Sequence, residues 1–236
     1  MQKRNHEKVR RMVVIAMFAA MAYAAMLVIH IKVGFLTMDV KDTIITLCGL
    51  YFGPLSALII SLVVPLLEFV TISDTAHYGL IMNILGSVSF SVTASLIYKW
   101  KKTFWGAITA LATAACVVTG VMVLANLFIT PHFMGTTTAQ VRSMIPTLLL
   151  PFNLLKAIIN VGLVLLLYKH LGNALRKAGF LPRRARAVQA DAAGEPCNAR
   201  RVHLRTVAVT VVAALLVAGA ITVIFLVLGG KFDFGL

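Results

Sequence analysis

Apolar runs of bilayer length recur along this chain, at residues 12–31, 55–71, 79–98, 104–128, 144–168 and 206–228. They leave the backbone few folds to choose from. About 20 apolar residues match a hydrocarbon core of ~30 Å, where every peptide N–H and C=O must find its partner within the protein. Helices meet that demand segment by segment, so the runs predict an all-α integral membrane protein. The balance of residues agrees, at 60% hydrophobic and 13% charged, where soluble domains carry about 25% charged. The formal charge of +14 raises the question of nucleic acid. However, the lysines and arginines cluster beside apolar segments and form no stripe interleaved with aromatics. Cys48, Cys116 and Cys197 show neither metal spacing nor a disulfide framework. The N-terminus is basic and then apolar, like a signal peptide. Its apolar run is as long as a full span and has no convincing cleavage site, so it reads as a retained helix.

One further apolar segment, residues 43–52, is short and ends at Gly53-Pro54. Ten residues rise only ~15 Å in a helix, too little to cross alone, so this segment reads as a short helix lining a cavity. Basic residues fix the orientation. Lys3, Arg4, Lys8, Arg10 and Arg11, then Lys99, Lys101 and Lys102, then the Lys/Arg-rich stretch after residue 168 fall on one side if the N-terminus is cytoplasmic. The loops at 32–42, 72–78 and 129–143 then lie outside. They carry Asp39, Asp42, Asp74, His77, Pro131 and His132, the expected mouth of a pocket. The expected organisation is a membrane domain at 1–172, a basic cytoplasmic linker at 173–205 and an additional C-terminal span within 206–236.

Inside the run 144–168 lies Pro151-Phe152-Asn153-Leu154-Leu155-Lys156. An ammonium at membrane depth costs about 2.5–3.5 kcal/mol and normally faces a partner, water or a ligand. Asn153, Lys156 and Asn160 stand at i, i+3 and i+7, on one helix face. Pro151 lacks an N–H and disturbs the turn before them. Either this is a packing face with Lys156 snorkelling outward, or it is a wall of a ligand pocket. Asn126, Asn83, Ser87 and Glu68 recur near the same outer side and could complete a polar ring. Asn presents both a donor and an acceptor, which suits a ligand edge that alternates them. Ala16, Ala20 and Ala24 recur at spacing four, a pattern that allows close helix approach within the chain or to a partner. No Walker-type loop and no HExxH pair occurs, and no nucleophile–base–orienter set suggests an enzyme.

The succession Asp39-Val-Lys-Asp42, Phe52-Gly53-Pro54, Met82-Asn83, Tyr98-Lys99, Asn126-Leu-Phe-Ile-Thr-Pro131 and Pro151-Phe-Asn-Leu-Leu-Lys156 resembles the substrate-binding S components of energy-coupling factor (ECF) vitamin transporters. It is most similar to their riboflavin-specific branch, over about residues 10–172. The resemblance implies a six-helix bundle that binds one vitamin near its extracellular face and works with a transmembrane T component and two cytoplasmic ATPases. It also implies that Asn126, Asn153 and Lys156 contact the isoalloxazine ring, with Asn83 nearby, and that Ala16, Ala20 and Ala24 meet the T component. Riboflavin would be cargo, with no resident cofactor. The seventh span at 206–228 departs from the six-helix pattern.

Overall fold

The computed structural model describes residues 2–72, 76–100 and 102–181. Asp74, most of the expected linker and the expected C-terminal span lie outside the described residues. The chain is mostly helical: α1 (Gln2–Val28), α2 (Lys41–Phe52), α3 (Pro54–Thr71), α4 (Ala76–Trp100), α5 (Phe104–Met134), α6 (Thr138–Met144) and α7 (Leu150–Lys177). Among the described residues, five helical stretches are long and apolar enough to cross a membrane. α2 is not one of them. It lies against α1, α3, α4 and α7, and most of its residues are buried.

Local chemistry sets the breaks. Gly53, at φ 98°, separates α2 from α3, and Pro54 then opens α3, where its missing N–H costs nothing. Thr103 caps α5 by accepting from the Gly106 amide at 3.0 Å. α5 runs through Pro131 to an αL cap at Gly135. The expected loop at 129–143 is therefore largely helical. Thr137 and Gln140 form a reciprocal capping box at the start of α6. α7 continues past the boundary expected at residue 172, so Asn173 to Lys177 are helical rather than linker. Its end is held: Arg10 donates to the Gly179 carbonyl and sits 4.7 Å from the Phe180 ring centroid. Arg11 likewise donates to the Phe52 carbonyl at the end of α2.

The expected loop at 32–42 is instead a small antiparallel hairpin, β1 (His30–Val33) with β2 (Leu36–Asp39), in register His30 with Asp39. Gly34 takes φ 63° in its two-residue turn. Leu36 and Met38 pack with Val141, Leu149, Phe152 and Ile159. This apolar cluster pins the hairpin to the start of α7.

Gly49 lets α2 come close to α3 and α4. A Cβ there would stand 2.0 Å from Ser95 Oγ and 2.8 Å from Ala57 Cβ. Gly49→Ala is therefore expected to destabilise the bundle by about 1–3 kcal/mol, since the added methyl overlaps side chains of both α3 and α4. The thermal unfolding midpoint of the purified chain measures this, and an unchanged midpoint would mean that α2 shifts freely.

Candidate functional site

A cavity opens at the end of the bundle opposite Arg10 and Arg11. Its walls come from the hairpin, the starts of α2, α4 and α7, and the last turns of α5. All four sequence-derived binding candidates line it: Asn83 on α4, Asn126 on α5, Asn153 and Lys156 on α7. Asn160 joins them, so the whole i, i+3, i+7 face of α7 looks inward. Apart from Thr37, Asp42 and Thr130, the remaining wall is mostly apolar and rich in rings, with Phe35, Tyr78, Phe90, Phe133 and Phe152. A flat, mostly apolar ligand with a polar edge suits such a lining.

The irregular backbone before α7 has a visible cause. A π-helical stretch, Ile145–Leu149, contains Pro146 and is followed by Pro151 in the first turn of α7. Neither proline has an N–H to donate to the preceding turn, and π turns of this kind are frequent at functional sites. Asn153 lines the cavity and its Nδ2 donates to the Leu149 carbonyl at 2.8 Å, a bond that uses one of the two N–H groups of the amide. Asn126 is set in a similar way. Its Nδ2 donates to the Met122 carbonyl at 2.7 Å, and its Oδ1 accepts from Thr130 Oγ1 at 2.9 Å. Asn160 Oδ1 accepts from Thr43 Oγ1 at 2.7 Å. Each amide is thus held by its own helix or a neighbouring hydroxyl before any ligand arrives.

Lys156 does not snorkel. Its Nζ turns into the protein, donating to Asp39 Oδ2 at 2.9 Å and to the Thr37 carbonyl at 3.1 Å. Behind it stands a buried ionic network. Lys41, only 1% exposed, donates to Asp39 Oδ2 at 3.1 Å, to Glu68 Oε2 at 2.8 Å and to Asn83 Oδ1 at 3.3 Å. Asn83 in turn donates to Glu68 Oε1 at 2.9 Å. Burial alone would raise the Asp39 carboxyl, but the ammoniums of Lys156 and Lys41 outweigh it and hold Asp39 well below the usual carboxylate range. A depressed folded value stabilises the fold at every pH above the unfolded value. That stabilisation declines as acidification goes below the unfolded value and is gone once it has passed through the folded value.

The expected mouth residues divide. Asp42 lines the cavity and accepts from Ser87 Oγ at 2.5 Å. Asp39 lies behind Lys156, and Glu68 belongs to the network rather than the cavity wall. His77 is exposed and packs against Tyr78, with ring centroids 4.2 Å apart. Pro131 and His132 line a separate recess with Thr136 and Thr137. The sequence reading missed Lys41, which it left in an outer loop. The acid–base–acid run Asp39-Val40-Lys41-Asp42 directly before an apolar segment was the available signal. Ala16, Ala20 and Ala24 lie exposed on α1, outside the core, while Ala22 between them is fully buried.

A helical membrane protein with a cavity of buried amides, an inward lysine and aromatic walls has the features of a protein that binds a solute within its bundle. The comparisons narrow the class. Residues 10–168 match the sequence model of the family described as ECF transporter, substrate-specific component. The chain is 30% identical over 185 residues to the riboflavin transporter RibU of Staphylococcus aureus (strain TCH60), covering 75% of this chain and 97% of that one. A solved structure described as "Structure and mechanism of the S component of a bacterial ECF transporter" superposes with TM-score 0.61 at 31% identity, covering 71% of this chain and 98% of that one. The chain belongs to the substrate-specific components of ECF transporters.

Proposed function

We propose that this chain is a riboflavin-binding S component that takes the vitamin at an outward-facing cavity and hands it on with a T component and two cytoplasmic ATPases. The observation that carries the reading is the convergence of Asn126, Asn153 and Lys156 on one aromatic-walled cavity, in a chain similar along most of its length to a riboflavin transporter. The dione edge of a flavin alternates acceptors with a donor. Amide groups that offer both, together with an ammonium, complement that edge. Asn83 lines the same cavity and completes the proposed contact set. With the N-terminus cytoplasmic, as the basic flanks favour, the cavity opens to the exterior. The role is binding and delivery, with energy supplied by the partner ATPases. A six-helix membrane bundle followed by a basic linker and a seventh span is the organisation that accompanies this reading.

The direct test is optical. The full chain purified from riboflavin-fed cells should be yellow and release a fluorescent flavin on denaturation. A colourless preparation that binds no added riboflavin would redirect the search to another vitamin or small metabolite.

The exposed face at Ala16, Ala20 and Ala24 is the proposed contact with the T component. Ala20→Leu should abolish uptake by cells carrying the whole transporter. Its flavin affinity should stay within about twofold, because bulk on this face blocks helix approach without touching the cavity. Equal loss of binding in the purified variant would show instead that the face serves the bundle itself.

A further inference from the structure

We infer that Asp39 is the positioning residue for Lys156, and that it fixes how many hydrogen bonds the ammonium can give a ligand and where they point. The inference rests on the cavity being the ligand site. Lys156 has three N–H bonds and a long flexible stem. Asp39 Oδ2 takes one at 2.9 Å and the Thr37 carbonyl takes a second at 3.1 Å. One N–H remains, and Lys156 lines the cavity. A mobile cation thereby becomes a single aimed donor. Both anchors come from β2, while Lys156 comes from α7, so the hairpin sets the donor's direction as well as covering one end of the cavity.

Asp39 is itself fixed from the far side. The same Oδ2 accepts from Lys41 at 3.1 Å, and Lys41 is held by Glu68 at 2.8 Å. The Asp39 side chain is 0% exposed. Its second oxygen, Oδ1, is buried without a hydrogen-bond partner among the described residues. Nothing there competes with Oδ2 as the point where the two ammoniums meet. Asp39 does not line the cavity; the cavity-lining side chain it contacts directly is Lys156, whereas Asn83 is reached only through Lys41.

A double-mutant cycle on the full chain tests this, with riboflavin titrated by fluorescence quenching. Asp39→Asn keeps the shape and an acceptor oxygen but removes the charge. It should weaken binding by roughly tenfold, the scale of one charge-assisted hydrogen bond losing its aim. In a Lys156→Met background the same substitution should change affinity by less than about twofold, because its direct contact with a cavity-lining group is gone. Asp39→Glu is the second variant should Asp39→Asn not fold. It keeps the charge that Lys41 needs and displaces the carboxylate by one methylene, and the same contrast between backgrounds is expected. Equal losses with and without Lys156 would overturn the inference and make Asp39 a general support of the fold. Unchanged affinity in Lys156→Met alone would overturn the cavity reading instead, so the two failures are distinguishable.

Discussion

Lys41→Met is expected to be the most damaging single substitution in the bundle. The lysine is fully buried and joins Asp39 on the hairpin to Glu68 on α3. Removing it deprives Glu68 of its ammonium and leaves Asp39 with Lys156 alone. Breaking a buried ion pair from one side costs about 3–5 kcal/mol, because the surviving charge has no solvent to return to. A membrane domain of ordinary stability, about 5–15 kcal/mol, loses a large share of it. The purified variant should unfold at a markedly lower temperature and give little monodisperse protein. Adding Glu68→Gln to Lys41→Met should recover part of that loss, since it removes the unpaired carboxylate while keeping an acceptor for Asn83. A midpoint near that of the unmodified chain would mean that water reaches the network and screens it.

This network was the least legible part of the chain. Lengths and hydropathy were enough to locate α3, α4, α5 and α7, because each must bury about a bilayer's depth of backbone. The face Asn153, Lys156 and Asn160 was equally legible, because helical periodicity alone places all three on one side. Asn126 was found as one of the polar residues that recur near the outer side, in the stretch Asn126 to Pro131 that also carried the family resemblance. Lys41 was not, since hydropathy assigns a charge at a segment's end to the loop beside it. The burial of Lys41 comes from the partners that surround it, Asp39 on the hairpin, Glu68 on α3 and Asn83 on α4. The hairpin was missed for a related reason. Its strands are four residues each, and the apolar run of α1 carries on into Ile31, masking where the helix stops at Val28. Partners distant in sequence, such as Lys156 with Asp39 or Thr43 with Asn160, leave no periodic trace.

The second large effect falls on the ligand. Lys156→Met and Asn153→Ala should each weaken riboflavin binding by about ten- to a hundredfold, the 1–3 kcal/mol lost when a buried polar edge keeps its ligand partner but loses its protein one. The two should differ in the empty protein. Asn153 donates to the Leu149 carbonyl beside the π-helical turn, and its loss removes one local hydrogen bond. Apo stability should therefore change by about 1 kcal/mol or less. Lys156 gives the opposite of what an isolated intramembrane charge predicts. Deleting a lone buried ammonium would relieve its desolvation. Here it instead leaves Asp39, Asp42 and Glu68 facing Lys41 alone, so apo stability should fall as well. Flavin-fluorescence titration beside thermal unfolding of the empty variants separates the two effects. Unchanged affinity in both variants would return this face of α7 to helix packing. A Lys156→Met variant that binds weakly but unfolds later than the unmodified chain would mean that the ammonium is a net burden on the fold, retained for the ligand alone.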